Sequence, residues 1–422
     1  MSFERIRTCL VRKWLLCLLV PPALWMLMVL LAPTEWARNR LSARLGRACG
    51  KEVRLGALRL GPLGGVRLTD LSIGEQGALA DPWLTVREVR LDVHFFQMLF
   101  GACQPRRVEA EGVNLRIHRR ADGKLEWGDL VGPRSRRDAP AEGPSTAAKP
   151  SNAVVEFLVH DARIHVMDEP SATMLEFEQV ECQGSWEPSR TAIEALQGKL
   201  HGGDIQLAAQ LVRSVGTLLY EGQVRCQGVP LERGMGALGY LIPVIAGTQP
   251  SVDGKFNLDL YVRAQGSTPA ELRDSLEGRG VLALDHISVA GSRVIGELVA
   301  SLNLPPRAAI GSLKSQFTIG MGRVSSDPLT LQLGQIPVVM AGWTDFTGHV
   351  DYRVSQDALS SRLPQEARKV LAELPIDLDQ LVSIRLEGTL DDLAVTLDTT
   401  PERPGNPNTD GPSAERMRLR EL

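Results

Sequence analysis

After about residue 51, hydrophobic and polar positions alternate with a period of two, which is the pattern of β-strands with one apolar face. The clearest example is the segment in which Phe256, Leu258, Leu260 and Val262 alternate with Asn, Asp and Tyr. Glycine-rich turns such as 61–65 separate the alternating segments. Short strands joined by such turns predict a mostly-β protein built around an elongated antiparallel sheet with one apolar face.

The predicted strands share this alternation, and they cover 53–60, 66–68, 71–73, 85–93, 108–117, 154–166, 174–180, 205–211, 220–226, 254–262, 280–284, 313–319, 329–333, 348–354 and 382–390. The few predicted helices have apolar residues at helical spacing, and they cover 33–48, 268–276, 294–302 and a segment that opens at Pro364. Thr268 and Glu271 have the spacing of a capping box. The loose recurrence of strand, turn and strand favours a sheet curled into a groove over a closed sandwich.

Residues 14–32 form an apolar run without a charged side chain, with Trp14, Leu19, Leu24 and Leu31 spread along it. As a helix this run spans roughly 28 Å, close to the bilayer hydrocarbon core of about 30 Å. A cleaved signal peptide would have a shorter apolar core and a small-residue cleavage site, whereas this run leads into Ala-Pro-Thr-Glu-Trp. We therefore predict one uncleaved transmembrane anchor.

Positive charges flank the predicted anchor almost equally, with four before it and five shortly after it. Because long C-terminal domains translocate largely regardless of charge, we predict a cytoplasmic N-terminus and the bulk of the chain on the opposite side of the membrane. Segments rich in Pro, Ala, Ser and Gly predict a linker and a disordered tail. The chain is therefore predicted to consist of a cytoplasmic tail 1–13, a transmembrane anchor 14–32, an N-terminal β region 33–131, a linker 132–150, a middle β region 151–250, a C-terminal β region with short helices 251–398 and a disordered tail 399–422.

The predicted helix that follows the anchor carries Arg40, Arg44 and Arg47 on one face and apolar residues on another. One hypothesis is a basic helix that lies at an anionic membrane surface. The alternative is a helix that packs against one end of the folded domain. Both hypotheses can hold together.

Composition and motifs argue against several classes of function. A net charge of −3 and a content of 5% aromatic residues are not those of a nucleic-acid-binding protein, so we predict no nucleic-acid partner. The six cysteines lack the paired spacing of a zinc site or a disulfide framework. A GxGxxG match at 234–239 lacks the strand and helix that a dinucleotide site needs. His160 and His165, five apart on a strand, are predicted to face opposite sides. We therefore predict no enzyme, with no catalytic residue, cofactor or metal.

A sheet of more than a dozen strands cannot be covered fully by the three short helices predicted after residue 267, so part of its apolar face is predicted to stay open. An apolar groove of this kind accommodates acyl chains, which need no directed polar partners. The alternative is an ordinary core with the helices packed on the apolar face. The candidate groove-lining residues occupy the alternating apolar positions of their strands, and they are Leu207, Leu211, Phe256, Leu258, Leu260, Val262, Leu331 and Leu333.

Several short segments occur in an order that resembles the AsmA family, relatives of the TamB-type bridge-like proteins. These segments are 50–56, 71–74, 81–84, 113–117, 122–130, 159–168, 266–272, 276–280 and 342–352. The resemblance covers about residues 1–395, and the C-terminal segments lie in the stretch 254–354 that is similar to the AsmA-like C-terminal region. The resemblance implies a Gram-negative inner-membrane anchor, a periplasmic β-groove and a role in lipid transport or outer-membrane biogenesis. The family offers no catalytic residues for transfer to this chain.

The expected partners follow from the groove and from the resemblance. A membrane phospholipid is the candidate ligand, and the inner membrane holds the anchor, with the bulk of the chain in the periplasm. The alternative hypothesis is a non-enzymatic scaffold or adaptor that contacts outer-membrane or envelope assembly proteins. These two hypotheses differ in whether the apolar face must bind lipid.

Overall fold

The structure, a computed structural model, is one long, open, curled β-sheet of 18 strands with a few short helices. The described residues are 35–61, 65–75, 81–93, 105–121, 154–169, 173–214, 217–231, 238–245, 251–290, 293–301, 310–334, 336–355 and 383–398. The sequence prediction of a mostly-β, curled sheet is confirmed. The predicted tails, the anchor 14–32, the linker 132–150 and the helix at Pro364 lie outside the described residues. No helix within the described ranges is long and apolar enough to span a membrane.

The strands are numbered in chain order from β1 to β18. They are β1 Glu52–Arg54, β2 Ala57–Leu60, β3 Gly65–Gly74, β4 Leu84–Val93, β5 Pro105–Arg119, β6 Val155–Asp168, β7 Thr173–Trp186, β8 Arg190–Leu200, β9 Gly203–Ser214, β10 Thr217–Pro230, β11 Ser251–Gln265, β12 Glu277–Ala290, β13 Ile310–Gly320, β14 Arg323–Leu333, β15 Ile336–Asp345, β16 His349–Val354, β17 Ser383–Thr389 and β18 Leu393–Asp398. The helices are α1 Glu35–Cys49, α2 Leu238–Leu241, α3 Pro269–Asp274 and α4 Arg293–Ser301, with a 3₁₀ turn at Pro243–Ile245.

The strands pair almost entirely in sequence order. From β3 to β18 each strand pairs with the next, and β1 and β2 lie end to end along the same edge of β3. All pairs are antiparallel except β5–β6, where Arg107 lies opposite Glu156 in parallel register. The prediction of an antiparallel sheet therefore has one exception. A parallel neighbour starts at the same end of the sheet, so the end of β5 and the start of β6 lie at opposite ends of this strand pair.

Four residues with left-handed backbone lie at nearly the same level of β3, β5, β6 and β7: Asp70, Gly112, Asp161 and Gln179, with φ between 50° and 66°. Each one interrupts the strict alternation, so that apolar residues three apart share one face, as Val159 and Ala162 do. Because such irregularities bend a strand and increase its twist, their alignment bends several neighbouring strands at one level.

The interruption at Asp161 overturns the prediction for the two histidines of β6. With one extra residue in the alternation, His160 and His165 lie on the same face, and each contacts a glutamate of β7. The distances are 2.5 Å from His160 Nδ1 to Glu181 and 3.5 Å from His165 Nδ1 to Glu176. The prediction that they face opposite sides is therefore wrong, and both belong to a face crossed by ion pairs.

We call the face with these ion pairs the outer face and the opposite face the inner face. The inner face carries Val86, Leu207, Leu282 and Leu331 and holds the hydrophobic core. The core cluster fills this inner face from β12 to β18 and also covers one end of β8 to β11, at Leu200, Ile205 and Phe256; we call this packed region the filled half. Ile242, beside α2, and Leu298 of α4 are fully buried in the same cluster as Leu282 and Leu331. The two predicted helices 268–276 and 294–302 correspond to α3 and α4. The helices cover only part of the sheet.

Candidate functional site: a central apolar cavity

A cavity of about 660 Å³ lies on the inner face where β8, β9, β10 and β11 meet. This volume falls within the range of about 300–1,000 Å³ that small-molecule sites occupy. Its walls are almost wholly apolar, and they include Ile193, Leu207, Ala209, Leu211, Val224 and Val262. The cavity lies next to the filled half.

The strand register explains why a hollow forms here. Ala209 lies opposite Gly222, so two of the smallest residues lie side by side at the centre of the wall. Larger residues flank this pair on both sides, because Leu207 pairs with Val224 and Leu211 pairs with Tyr220. The three pairs together shape a shallow apolar depression from residues that alternate regularly in sequence.

Gly222 is the residue that leaves most room. A Cβ placed on Gly222 would meet the Val262 side chain at 3.7 Å, an ordinary van der Waals contact, and its φ is not left-handed. At Gly280, on β12, a Cβ would instead lie 2.5 Å from the Phe317 ring. The space beside Gly280 is thus filled by protein, whereas the space beside Gly222 belongs to the cavity.

One rim of the cavity is formed by α3 and the residues after it. Thr268 caps the helix by accepting a hydrogen bond from the Glu271 N–H at 3.2 Å, and the Glu271 carboxylate accepts one from the Ser267 N–H at 2.7 Å. The Ser267 hydrogen bond lowers the pKa of Glu271. The predicted capping box is therefore present, and it fixes a helix whose Leu272, with Leu276 after it, borders the cavity.

Phe346 forms another part of the rim and comes from the tight turn between β15 and β16. The Asp345 carboxylate accepts hydrogen bonds from the Thr347 N–H at 2.9 Å, the Thr347 hydroxyl at 2.7 Å and the His349 N–H at 2.9 Å. Partial burial raises the pKa of Asp345, but these hydrogen bonds outweigh it, so the net shift is downward. Gly348 completes the turn with a φ of 92°, where other residues are strained.

Replacing Asp345 by alanine is expected to destabilise the turn that holds Phe346, by about 1.5–3 kcal/mol in the free energy of unfolding, because a charged acceptor is lost. The lowered pKa of Asp345 means that its contribution is complete above the usual value of 3.8 and is lost as the pH falls through the folded-state value. Urea unfolding at neutral pH measures the change, and Asp274→Ala on exposed α3 is the control. Equal unfolding curves for the two variants would contradict this assignment.

Two arginines neighbour the apolar lining residues, and they differ in the face that they occupy. Arg263 follows the inward-facing Val262 on β11, so its guanidinium lies on the opposite face, where its Nε is 3.6 Å from the Glu221 carboxylate. Arg273 follows Leu272 on α3 at the rim, and its side chain is more than half exposed, with Nε 3.7 Å from Asp274. A positive charge at the rim of an apolar hollow suits an amphiphile with an anionic head group.

The eight residues predicted to line a groove divide between the cavity and the core. Leu207, Leu211 and Val262 line the cavity. Leu258 and Leu260 lie on the same face, partly buried against the core. The remaining three are buried in the core cluster: Phe256 at 4% exposure, Leu331 at 0% and Leu333 at 1%. The anchor residues Trp14, Leu19, Leu24 and Leu31 lie outside the described residues.

Sequence reasoning missed Gly222, Tyr220, Leu272 and Phe346 as parts of the site. Gly222 has no side chain to join an apolar pattern, and only the strand register reveals that it faces the hollow. Phe346 comes from a turn far along the chain. It lies within the segment 342–352, one of those that carry the family resemblance, but nothing in that pattern indicates that it borders a cavity.

The lining of the cavity is almost wholly apolar. Among the described residues, no group of three or more His, Cys, Asp or Glu side chains is placed to hold a metal ion. Cys226 on β10 is buried, and burial raises the pKa of its thiol to about 11, so it stays protonated at neutral pH. The GxGxxG match at 234–239 is described only at its last two residues, which belong to α2; the strands on either side of it in sequence, β10 and β11, are antiparallel neighbours, whereas a dinucleotide site needs a parallel crossover. Comparisons of the chain with protein-family models, with curated proteins and with solved structures find no match.

Proposed function

We propose that this chain is a membrane-anchored envelope protein that binds the acyl chains of a phospholipid in its central cavity and serves lipid transport or outer-membrane biogenesis. The observation that carries the proposal is the hollow at Gly222, an apolar space that no side chain of the cavity wall fills. Each methylene that leaves water for such a surface contributes about 0.8 kcal/mol. About ten buried methylenes would contribute roughly 8 kcal/mol, so a large part of an acyl chain must enter the cavity for stable binding.

The surroundings of the cavity support an amphiphile over a purely apolar ligand. Arg273 lies at the rim and can contact a phosphate, while the acyl chains need no polar partner from the apolar walls. The predicted anchor would keep the cavity close to the source of such lipids. The filled half closes the inner face on one side, so the proposal assigns the lipid to the cavity and not to a groove along all 18 strands.

Native mass spectrometry of the full chain, extracted in mild detergent, tests the proposal. We expect a population carrying phospholipid in stoichiometric amount, released at higher collision energy. Protein that remains lipid-free across several mild detergents, with its fold intact by circular dichroism, would overturn the proposal.

The alternative function, a scaffold or adaptor for envelope assembly proteins, is favoured by one observation on the outer face. Tyr261 and Val281 are exposed on β11 and β12 beside a depression of about 570 Å³, and the Arg279 guanidinium lies 5.8 Å from the Tyr261 ring centre. Exposed aromatic and arginine side chains are common at protein interfaces. Lipid-free protein whose crosslinks to an outer-membrane partner depend on Tyr261 would support this alternative.

A further inference from the structure

Helix α1 carries a stripe of side chains that point away from the sheet. Trp36, Arg40, Arg44 and Arg47 are spaced by four, four and three residues, which places them on one helical face. Trp36 is 70% exposed, and the Arg40 guanidinium lies 5.4 Å from its ring centre. We call these four residues the arginine stripe.

The other side of α1 packs along the edge of the sheet. The helix contacts β1 and β2, and the Arg38 Nη1 donates a hydrogen bond to the Gly56 carbonyl at 3.1 Å. Leu41 and Leu45 are half-buried on this side. The start of the helix lies beside Gly56 and its end leads into β1, so α1 runs antiparallel to the edge strands. The helix thus covers one end of the sheet, as one of the two sequence hypotheses expects.

Within the part of the chain that the structure describes, the arginine stripe keeps its positive charge. Within the described ranges, no carboxylate lies at salt-bridge distance from Arg40, Arg44 or Arg47, and the Arg47 Nε donates only to the Ala43 carbonyl at 3.4 Å. Arg38, on the inner side, does pair with Glu35 at 3.8 Å. The free positive charge is therefore concentrated on the outward side of α1.

We propose that the arginine stripe docks on an anionic bilayer surface and sets the orientation of the whole sheet. The predicted anchor ends at residue 32, shortly before α1 begins, so the stripe would lie at the head-group level, where tryptophan and arginine are favoured. With α1 flat on the bilayer, the edge strands run parallel to the membrane. Later strands then stack away from it at about 4.8 Å per strand. The cavity would stand several strands above the surface.

This proposal is tested by photocrosslinking in the full chain, reconstituted in nanodiscs. Ala43 is exposed on α1 next to Arg44 of the arginine stripe, and it is replaced by 4-benzoylphenylalanine. We expect phospholipid adducts in discs of phosphatidylglycerol and at least about fivefold fewer in discs of phosphatidylcholine. The same probe at Met321, 85% exposed in the turn before β14, should give adducts in neither.

The arginines themselves are tested by the variant Arg40→Gln, Arg44→Gln, Arg47→Gln, which should lower adduct yield in phosphatidylglycerol to the level seen in phosphatidylcholine. A matched triple replacement of exposed strand arginines should leave the yield unchanged: Arg107→Gln, Arg213→Gln and Arg279→Gln. The proposal would be overturned by an adduct yield that depends neither on lipid charge nor on the stripe arginines. Adducts with protein instead of lipid would overturn it as well. Because the probe is on α1, the outcome is independent of whether the central cavity holds a lipid.

Discussion

Gly222→Phe is expected to remove bound phospholipid from the protein while leaving its fold intact. A Cβ at this position meets Ala208 O and the Val262 side chain at 3.7 Å, so a larger side chain enters the cavity without a clash at its root. Glycine inside a strand costs about 0.5–1 kcal/mol relative to alanine, so the substitution should not lower the free energy of unfolding. Native mass spectrometry should show at least about tenfold less lipid per protein, because the ring occupies the apolar volume.

Gly320→Phe is the matched control for this variant. Gly320 also lies in a strand, β13, and a Cβ placed on it meets nothing within 4 Å. The added ring is then outside the central cavity, and lipid content should match that of the wild type. Lipid retained in full by Gly222→Phe, or lost equally in Gly320→Phe, would show that the cavity is not the lipid site.

Leu331→Ala and Leu211→Ala are expected to differ strongly in their effect on stability, although both leucines belong to the same inner face. Leu331 is fully buried in the filled half, and its truncation should lower the free energy of unfolding by about 2–5 kcal/mol. Leu211 borders the cavity and is only half-buried, so its truncation should cost less than about 1.5 kcal/mol.

Urea unfolding followed by circular dichroism in one mild detergent compares the two variants under identical conditions. Lipid binding should respond in the opposite order, because Leu211 contacts the cavity and Leu331 does not. Equal losses of stability would mean that the inner face is covered uniformly, and the division into a filled half and a cavity would then fail.

Much of the fold could be predicted because its main determinant, the alternation of apolar and polar residues, is local. The segment around Leu258 and Leu260 is a strand with the predicted inward parity, and α3 begins at the predicted capping box. The parallel pair β5–β6 was missed because strand direction depends on a long connection and not on the alternating pattern. The error at His160 and His165 has a similar source, since a single left-handed residue, Asp161, changes the parity.

The candidate site was predicted less well than the fold, for a physical reason. The alternating pattern identifies which residues face inward, but it does not say which of them are covered by another element. Leu207 and Leu331 have the same parity, yet Leu331 lies in the core that the helical segments help to fill and Leu207 borders the cavity. The division depends on how α2 and α4 pack across strands distant in sequence, which only the three-dimensional arrangement specifies.

The central claim, that an acyl chain occupies the cavity, is tested most directly with a phospholipid that carries a diazirine in its acyl chain, because the protein and its cavity volume then stay unchanged. Ala209 belongs to the cavity wall, whereas Ala208 is exposed on the opposite face. Illumination of the full chain in membranes that contain this lipid, with the adducts located by tandem mass spectrometry, should label Ala209 and its neighbours in the cavity wall and leave Ala208 unlabelled. Labelling that is equal on both faces, or missing from the cavity wall in folded protein, would contradict the account.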